Sequence, residues 1–386
     1  MQKAAQGAWH ANPKALSALI VEHFLNDGVA NFLPGVLPVL AVDQHVPLAL
    51  IGVLMTALIF GQSFQPLAGW WADRVGGKLF ITGGVFLTTL GAVLMGLFHS
   101  VVLMVMFLFL IGVGNTLFHP QALTAARTVG ARREGISMSI FLVGGELGRG
   151  LGPLAAGLLV AGFGIKGLVW LAVPYLVTAP WTIPNTPRLE PRKRRTAKIH
   201  WKEHRTPTLA LIGFTTLRAA ATYGIITLAP IAWRARGGSI AASASLVSVM
   251  IGVGVIGNLL GGTVSDRWGR RRVLWLTTLL AGVFLAGFGV ARGFWEWPLL
   301  ALLGMALFGS GPVTTLLAQD IFVENPALGS GIAVGLGNGV GAILMTPLIA
   351  MAGPWGTTHV VWILAALVFL TLPLITLMHP RRTARA

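Results

Sequence analysis

Apolar runs of roughly 20 residues recur from one end of the chain to the other, separated by short polar loops. That recurrence is the pattern of helices that cross a membrane. The runs predict an all-α membrane protein with twelve transmembrane helices. The first six spans are 15–41, 47–72, 79–98, 101–127, 135–163 and 167–184. The second six are 208–233, 240–265, 273–292, 297–318, 328–353 and 357–378. Between the two sets lies a linker, 185–207, in which Pro187, Pro191 and Pro207 surround Arg192-Lys193-Arg194-Arg195. The segment before residue 15 has no apolar core, and the first run is too long for a signal peptide, so an uncleaved first span is expected.

Composition agrees. Hydrophobic residues make up 55% of the 386, charged residues 10%, and mean hydropathy is +0.77, where soluble domains carry about 25% charged residues. The net charge of +16 would suit a nucleic-acid binder, but its placement argues otherwise. Of the 28 Lys and Arg residues, 22 fall in one alternate set of loops and termini and 4 in the other. That is the positive-inside bias, and it puts both termini and the basic linker on the cytoplasmic side of the membrane. Tryptophans 70, 71, 181 and 275 fall near one set of span ends and 170, 233, 295, 297 and 355 near the other, as amphipathic rings do at headgroups. No nucleic-acid partner is expected. Cysteine is absent, which excludes disulfides and thiolate chemistry. His200 and His204 have i, i+4 spacing but no carboxylate cluster beside them, so no metal site is expected, and no cofactor.

The chain repeats itself. After span two it reads Gly69-Trp70-Trp71-Ala72-Asp73-Arg74-Val75-Gly76-Gly77-Lys78, and after span eight Gly262-Thr263-Val264-Ser265-Asp266-Arg267-Trp268-Gly269-Arg270-Arg271. The aspartates are 193 residues apart, half the chain length, and Gly144/Gly337 and Gly148/Gly341 share that offset. Duplication into an N-terminal bundle (1–184) and a C-terminal bundle (208–386), pseudo-symmetric and six-helical, follows. In each copy the first glycine permits close helix packing, the aspartate ends a helix where it can accept hydrogen bonds, and the later glycine turns a short loop.

These loops match the signature motif of the major facilitator superfamily, which the whole chain resembles. The resemblance implies a central cavity reached alternately from either side as the bundles rock. It gives Gly69, Asp73, Arg74, Gly76, Asp266, Arg267 and Gly269 a gating role. Phe24-Leu25-Asn26-Asp27-Gly28, Gly114-Asn115-Thr116-Leu117-Phe118-His119-Pro120 and Ser137-Met138-Ser139-Ile140-Phe141-Leu142-Val143-Gly144-Gly145 are similar to the fosmidomycin-resistance group of bacterial exporters. Span five also carries Gly144, Gly148, Gly152-Pro153 and Gly157, similar to the motif of drug/proton antiporters, and Gly152 and Pro153 join the gating set. Ala156 replaces the motif's second terminal glycine, which leaves the direction of antiport open.

Charge inside a span costs about 2.5–3.5 kcal/mol at the bilayer centre on insertion scales and marks function. Only Glu22, Asp27 and Glu146 among the acidic residues, and Arg149 and Arg218 among the basic ones, lie inside spans away from their ends. Glu22, His23, Asn26, Asp27 and Asn31 share one half of span one, and a carboxylate that gains and loses a proton is the simplest coupling device. Proton coupling is therefore assigned to Asp27, Glu146, Glu22 and His23. A permanent hydrogen-bonded lock between Asp27 and His23 is the alternative. Glu146 and Arg149 stand three residues apart and either neutralise each other or both face a cavity. Arg218 has Thr215 and Thr222 on its face and needs Asp27, Glu146 or a bound anion as partner. Asn115 and His119 share a face of span four ahead of Pro120, with His119 either a contact or a packing residue. The candidate substrate contacts are Arg149, Arg218, Asn26, Asn31, Asn115 and His119, while Asn258 and Asn338 suit interhelical hydrogen bonding.

The expected function is secondary export of small organic compounds, anionic and phosphonate-like, by proton antiport, fosmidomycin being a phosphonate. The partners are a small-molecule substrate, protons and lipid, and the chain is expected to act as a monomer. A facilitator or proton-coupled importer of an anionic metabolite is the alternative, and a non-transporting sensor or scaffold is the alternative of another class. The chain shows no nucleotide-binding loop and no nucleophile–base pair, so neither an ATP-driven pump nor an enzyme is expected.

Overall fold

The computed structural model describes residues 12–75, 77–98, 100–129, 134–189, 201–323 and 325–378. Among them there are helices and turns but no strand. Helix α1 (Pro13–Ala30) is capped by the Asn12 side chain and gives way at Asn31 to a 3-10 turn, Leu33–Gly35, and a π-helical turn, Val39–Asp43. The single run expected over 15–41 breaks because Pro34 and Pro38 lack the N–H that would continue the ladder. Span two is likewise split, into α2 (Leu48–Gln62) and α3 (Gln65–Val75), just ahead of Pro66. Then follow α4 (Lys78–Leu97), α5 (Val101–Val129), α6 (Glu134–Phe163) and α7 (Ala172–Asn185). In the second half are α8 (Trp201–Ala235), α9 (Ile240–Trp268), α10 (Arg270–Val290) and α11 (Glu296–Ile321). Span eleven comprises α12 (Pro326–Ser330), a π-helical stretch, Gly331–Leu336, and α13 (Gly337–Trp355). Span twelve divides into α14 (Thr357–Leu370) and α15 (Leu372–Leu377), again at a proline, Pro373.

Among the described residues ten helices are long and apolar enough to cross a membrane. The two expected spans outside that set are the first and the fifth, the pair that carries Glu22, Asp27, Glu146 and Arg149. The charges these two helices carry lower their apolar signal. Helix α8 starts at Trp201, inside the expected linker, and contains Pro207. The His204 ring lies 5.3 Å from that of Phe322, so tertiary contact extends the helix past a sequence signal that reads as a break. His200, the Arg192–Arg195 run and both chain ends lie outside the described residues.

Packing repeats at an offset of six spans. Helix α1 lies against α6 and α8 against α13, while α2 packs on α5 and α9 on α11. The two sets meet where α6 touches α9 and α2 touches α13. Exposed Trp70, Trp71, Trp170, Trp181, Trp295 and Trp355 stand on the outer surface, as lipid-facing anchors do. Trp233 and Trp297 do not. Their rings pack edge to face at 4.6 Å, with Trp297 Nε1 donating to Ser245 Oγ at 3.1 Å.

Candidate functional site: a buried cluster beside a central cavity

A cavity of about 480 Å3 lies between the two sets of helices, within the size range of small-molecule sites. Asn31, Gln62, Asn115, His119, Arg149, Arg218, Tyr223, Asn258 and Asn338 are among the residues that line it. Far from the repeated loops the sets are held together by hydrogen bonds from Thr56 Oγ1 to Ala342 O (2.7 Å) and Leu154 N to Ser248 Oγ (3.1 Å). Beyond these, Arg234 forks onto Asp43, with Nη2 at 2.8 Å and Nε at 3.1 Å from Oδ1.

Small residues bring α1 and α6 unusually close. A methyl group at Gly148 would strike the Phe24 carbonyl, and one at Gly152 the Gly28 carbonyl. Gly145 leaves the space that the His23 ring occupies. This close crossing delivers Arg149 to Asp27, Nη2 to Oδ2 at 3.2 Å. Asp27, only 1% exposed, also accepts on Oδ1 from Asn26 Nδ2 (3.2 Å) and Asn115 Nδ2 (3.3 Å). His23 Nε2 and His119 Nε2 stand 3.5 and 3.3 Å from its two oxygens. A buried carboxylate is tolerated only with such a full set of partners.

The polar half of span one therefore does not line the cavity. Asp27, His23 and Asn26 are buried behind its wall, Asn26 accepting from Thr88 Oγ1 at 3.1 Å, and only Asn31 reaches the cavity from this segment. Glu22 is buried elsewhere, accepting from Thr186 Oγ1 at 2.8 Å, with its other oxygen unpartnered. Glu146 bonds Arg149 Nη1 at 3.3 Å and Asn258 Nδ2 at 3.3 Å, which ties α6 to α9. Of the two arginines, Arg149 is thus held by two carboxylates. Arg218 is not. Its Nη1 donates to the Leu307 carbonyl at 3.3 Å, its Nε is buried without a partner, and among the described residues no carboxylate pairs with it.

In the repeated loops, Arg74 stacks over the Trp70 ring at 3.6 Å, and Gly69 faces Pro120. Gly76 lies outside the described residues, and Asp73 is described only in its backbone. Asp266 and Arg267 are exposed, and Gly269 takes a left-handed φ of 87° where α9 turns into α10. An ionic contact here joins Arg270 to Asp320. Pro153 packs on Gly35.

Sequence reasoning missed Tyr223, Gln62 and the Asp43–Arg234 pair. Tyr223 had a signal, being one of two tyrosines in the chain and five residues from Arg218. The Asp43 pair had none, since its members are 191 positions apart. His23, Asp27 and His119 also bring three potential ligand atoms within 4.8 Å of one another. The Arg149 guanidinium already sits on Asp27 Oδ2 and opposes a dication there.

Comparison with known proteins gives a consistent answer. The family model described as Major Facilitator Superfamily matches residues 19–334. An uncharacterized MFS-type transporter of Bacillus subtilis, YfnC, is 27% identical over 363 residues, 87% of this chain and 86% of that protein. The fosmidomycin resistance protein of Escherichia coli is 25% identical over 340 residues, 85% and 84% of the two chains. A bacterial homolog of the human lysosomal transporter Spinster, solved inward-facing and unoccupied, superposes with a TM-score of 0.75 at 17% identity, covering 96% of this chain and 98% of that one. The nucleoside transporter NupG gives 0.77 at 14% identity, covering 94% and 99%.

Proposed function

The chain belongs to the Major Facilitator Superfamily, and from that premise we propose that it exports small organic anions across a bacterial inner membrane by proton antiport. The observation that carries the substrate class is Arg218. A guanidinium is charged at every physiological pH, and one that lines a cavity with a backbone carbonyl as its hydrogen-bond partner and a spare, buried N–H is poised for an anion. Arg149, on the opposite wall, presents a second positive edge while Asp27 and Glu146 hold it. Phosphonates, phosphates and carboxylates fit such a planar fork. The name of the fosmidomycin resistance relative supports a phosphonate-like compound.

In this reading residues 1–184 and 208–386 rock as two units joined by 185–207, with termini and linker cytoplasmic, and the chain acts as a monomer. The cavity extends to Gln65, Thr315 and Ala333, toward the repeated loops, while the far end carries the Asp43–Arg234 fork. That supports an inward-facing state. The coupling proton binds in the cluster around Asp27.

A second reading, proton-coupled import of an anion, draws support from the charges. A proton added beside Asp27 makes the wall less negative and favours an arriving anion. Direction of flux separates the two. Purified protein in liposomes, with an imposed pH gradient and a panel of phosphonates, carboxylates and neutral analogues of equal size, should move anions against the proton flow. Flux of anions with the proton flow would establish import instead. Flux of neither class would leave a sensor or scaffold.

A further inference from the structure

The hydrogens on the two histidines beside Asp27 can be assigned from their other partners. His23 Nδ1 lies 2.8 Å from the Phe141 carbonyl, and His119 Nδ1 lies 3.0 Å from the Asn115 carbonyl. A carbonyl oxygen only accepts, so both Nδ1 atoms carry a hydrogen and donate it. In a neutral ring so oriented, Nε2 is a bare lone pair. Yet Nε2 is the atom that each ring turns toward Asp27. Lone pairs aimed at a buried carboxylate repel it, so the geometry calls for a proton between them, on an imidazole or on the carboxyl.

Asp27 itself is a poor place for that proton. Oδ1 accepts from Asn26 and Asn115 and Oδ2 from Arg149, a set of donors, one of them a cation, that favours the ionised carboxylate over the acid. The charge count sets the number. Arg149 against Asp27 and Glu146 leaves one negative charge, which one imidazolium neutralises and two would overshoot. We propose that the coupling proton rides on the His119–His23 pair, one proton per pair, while Asp27 stays ionised as its counter-charge. This rests on the reading of the chain as proton-coupled.

His119 lines the cavity with its side chain 14% exposed, whereas that of His23 is 4% exposed. His119 Nε2 therefore takes a proton from cavity water on one side of the membrane and returns it to water on the other. His23, its ring 5.3 Å away, shares it through the Asp27 carboxylate. The remaining charged or titratable neighbours are Glu146 and Arg149 from α6 and Arg218 and Tyr223 from α8 across the cavity. Glu22, next to His23 in sequence, turns toward Thr186, with Lys78 and Tyr175 nearby. None of them meets a histidine Nε2 in the way Asp27 does.

Infrared difference spectra of the purified protein, recorded as the first proton is taken up on acidification, locate that proton without any transport. The wild type should gain imidazolium ring modes, reduced in His23→Gln and in His119→Gln and lost from this step in the double variant. Wild type labelled with 13C at the aspartate carboxyl should show no acid carbonyl band shifting with the label in that step, which tests the point with no substitution. An acid carbonyl band that moves with the label and vanishes in Asp27→Asn would overturn the proposal, as would imidazolium modes unchanged in the double variant. Wild-type flux indifferent to a pH gradient would overturn proton coupling itself, a separate result.

Discussion

Arg149 and Arg218 look alike in the sequence, each a lone cation near the middle of a span, and the structure makes them different. Arg149 is one member of a closed cluster with Asp27 and Glu146, whereas Arg218 answers to a carbonyl. Removing Arg218 should therefore take away a ligand contact, and removing Arg149 should strand a buried carboxylate. Arg218→Gln is expected to weaken binding of anionic compounds about tenfold or more, the equivalent of one charge-assisted hydrogen bond, with little effect on neutral analogues. Arg149→Gln should lower thermal stability and depress transport of both classes. Binding isotherms paired with melting curves check this. Equal loss across anions and neutrals in Arg218→Gln would assign that arginine to structure.

The crossing of α1 and α6 is the element on which the cluster depends. Gly148 and Gly152 sit on the α6 face that meets the α1 backbone, so a side chain there pushes the helices apart and withdraws Arg149 from Asp27. Gly148→Ala should cost about 1–3 kcal/mol, as overpacking of a tight interior does, and should impair transport. Gly162→Ala on the same helix has nothing within 4 Å of the added carbon and should be neutral. A Gly148→Ala protein as stable and active as the Gly162→Ala control would show that the crossing has slack.

Across the whole molecule, the proposed transport cycle would be balanced by the contacts between the two sets of helices. The Arg234–Asp43 fork joins α8 to the end of the first span, far from the repeated loops, and in the rocking-bundle reading proposed above it would break when that end opens. Asp43→Asn should shift the population toward the state open at that end, read as wider distances between spin labels placed on 43-side and 234-side neighbours. Unchanged distance distributions would remove the fork from the gate. Asp266→Asn and Asp73→Asn should slow transport while leaving insertion intact, by shifting the same balance from the other side. Topology is testable in this Cys-free chain. In intact cells an impermeant thiol reagent should label His45→Cys and spare Lys193→Cys, and the reverse pattern would invert the orientation.

Hydrophobic run length determined most of the helical layout by itself, because in lipid a backbone must satisfy its own hydrogen bonds and a helix of about 20 residues is the shortest segment that does so across the core. The internal repeat determined the pairing of halves for the same reason that any duplicated sequence repeats its contacts. Asp27, Glu146, Arg149 and Arg218 announced themselves, since charge in an apolar run has no other explanation than a partner or a function. What the sequence left open was which partner. Asp27 and Arg149 are 122 positions apart, and Arg234 and Asp43 are 191 apart. Only helix packing decides that Asp27 faces a guanidinium from α6 and imidazoles from α1 and α5 behind the cavity wall, while Arg218 of α8 faces the cavity with no carboxylate among the described residues. Side-chain charge is written locally, but its neutralisation is a property of helices brought together from distant parts of the chain.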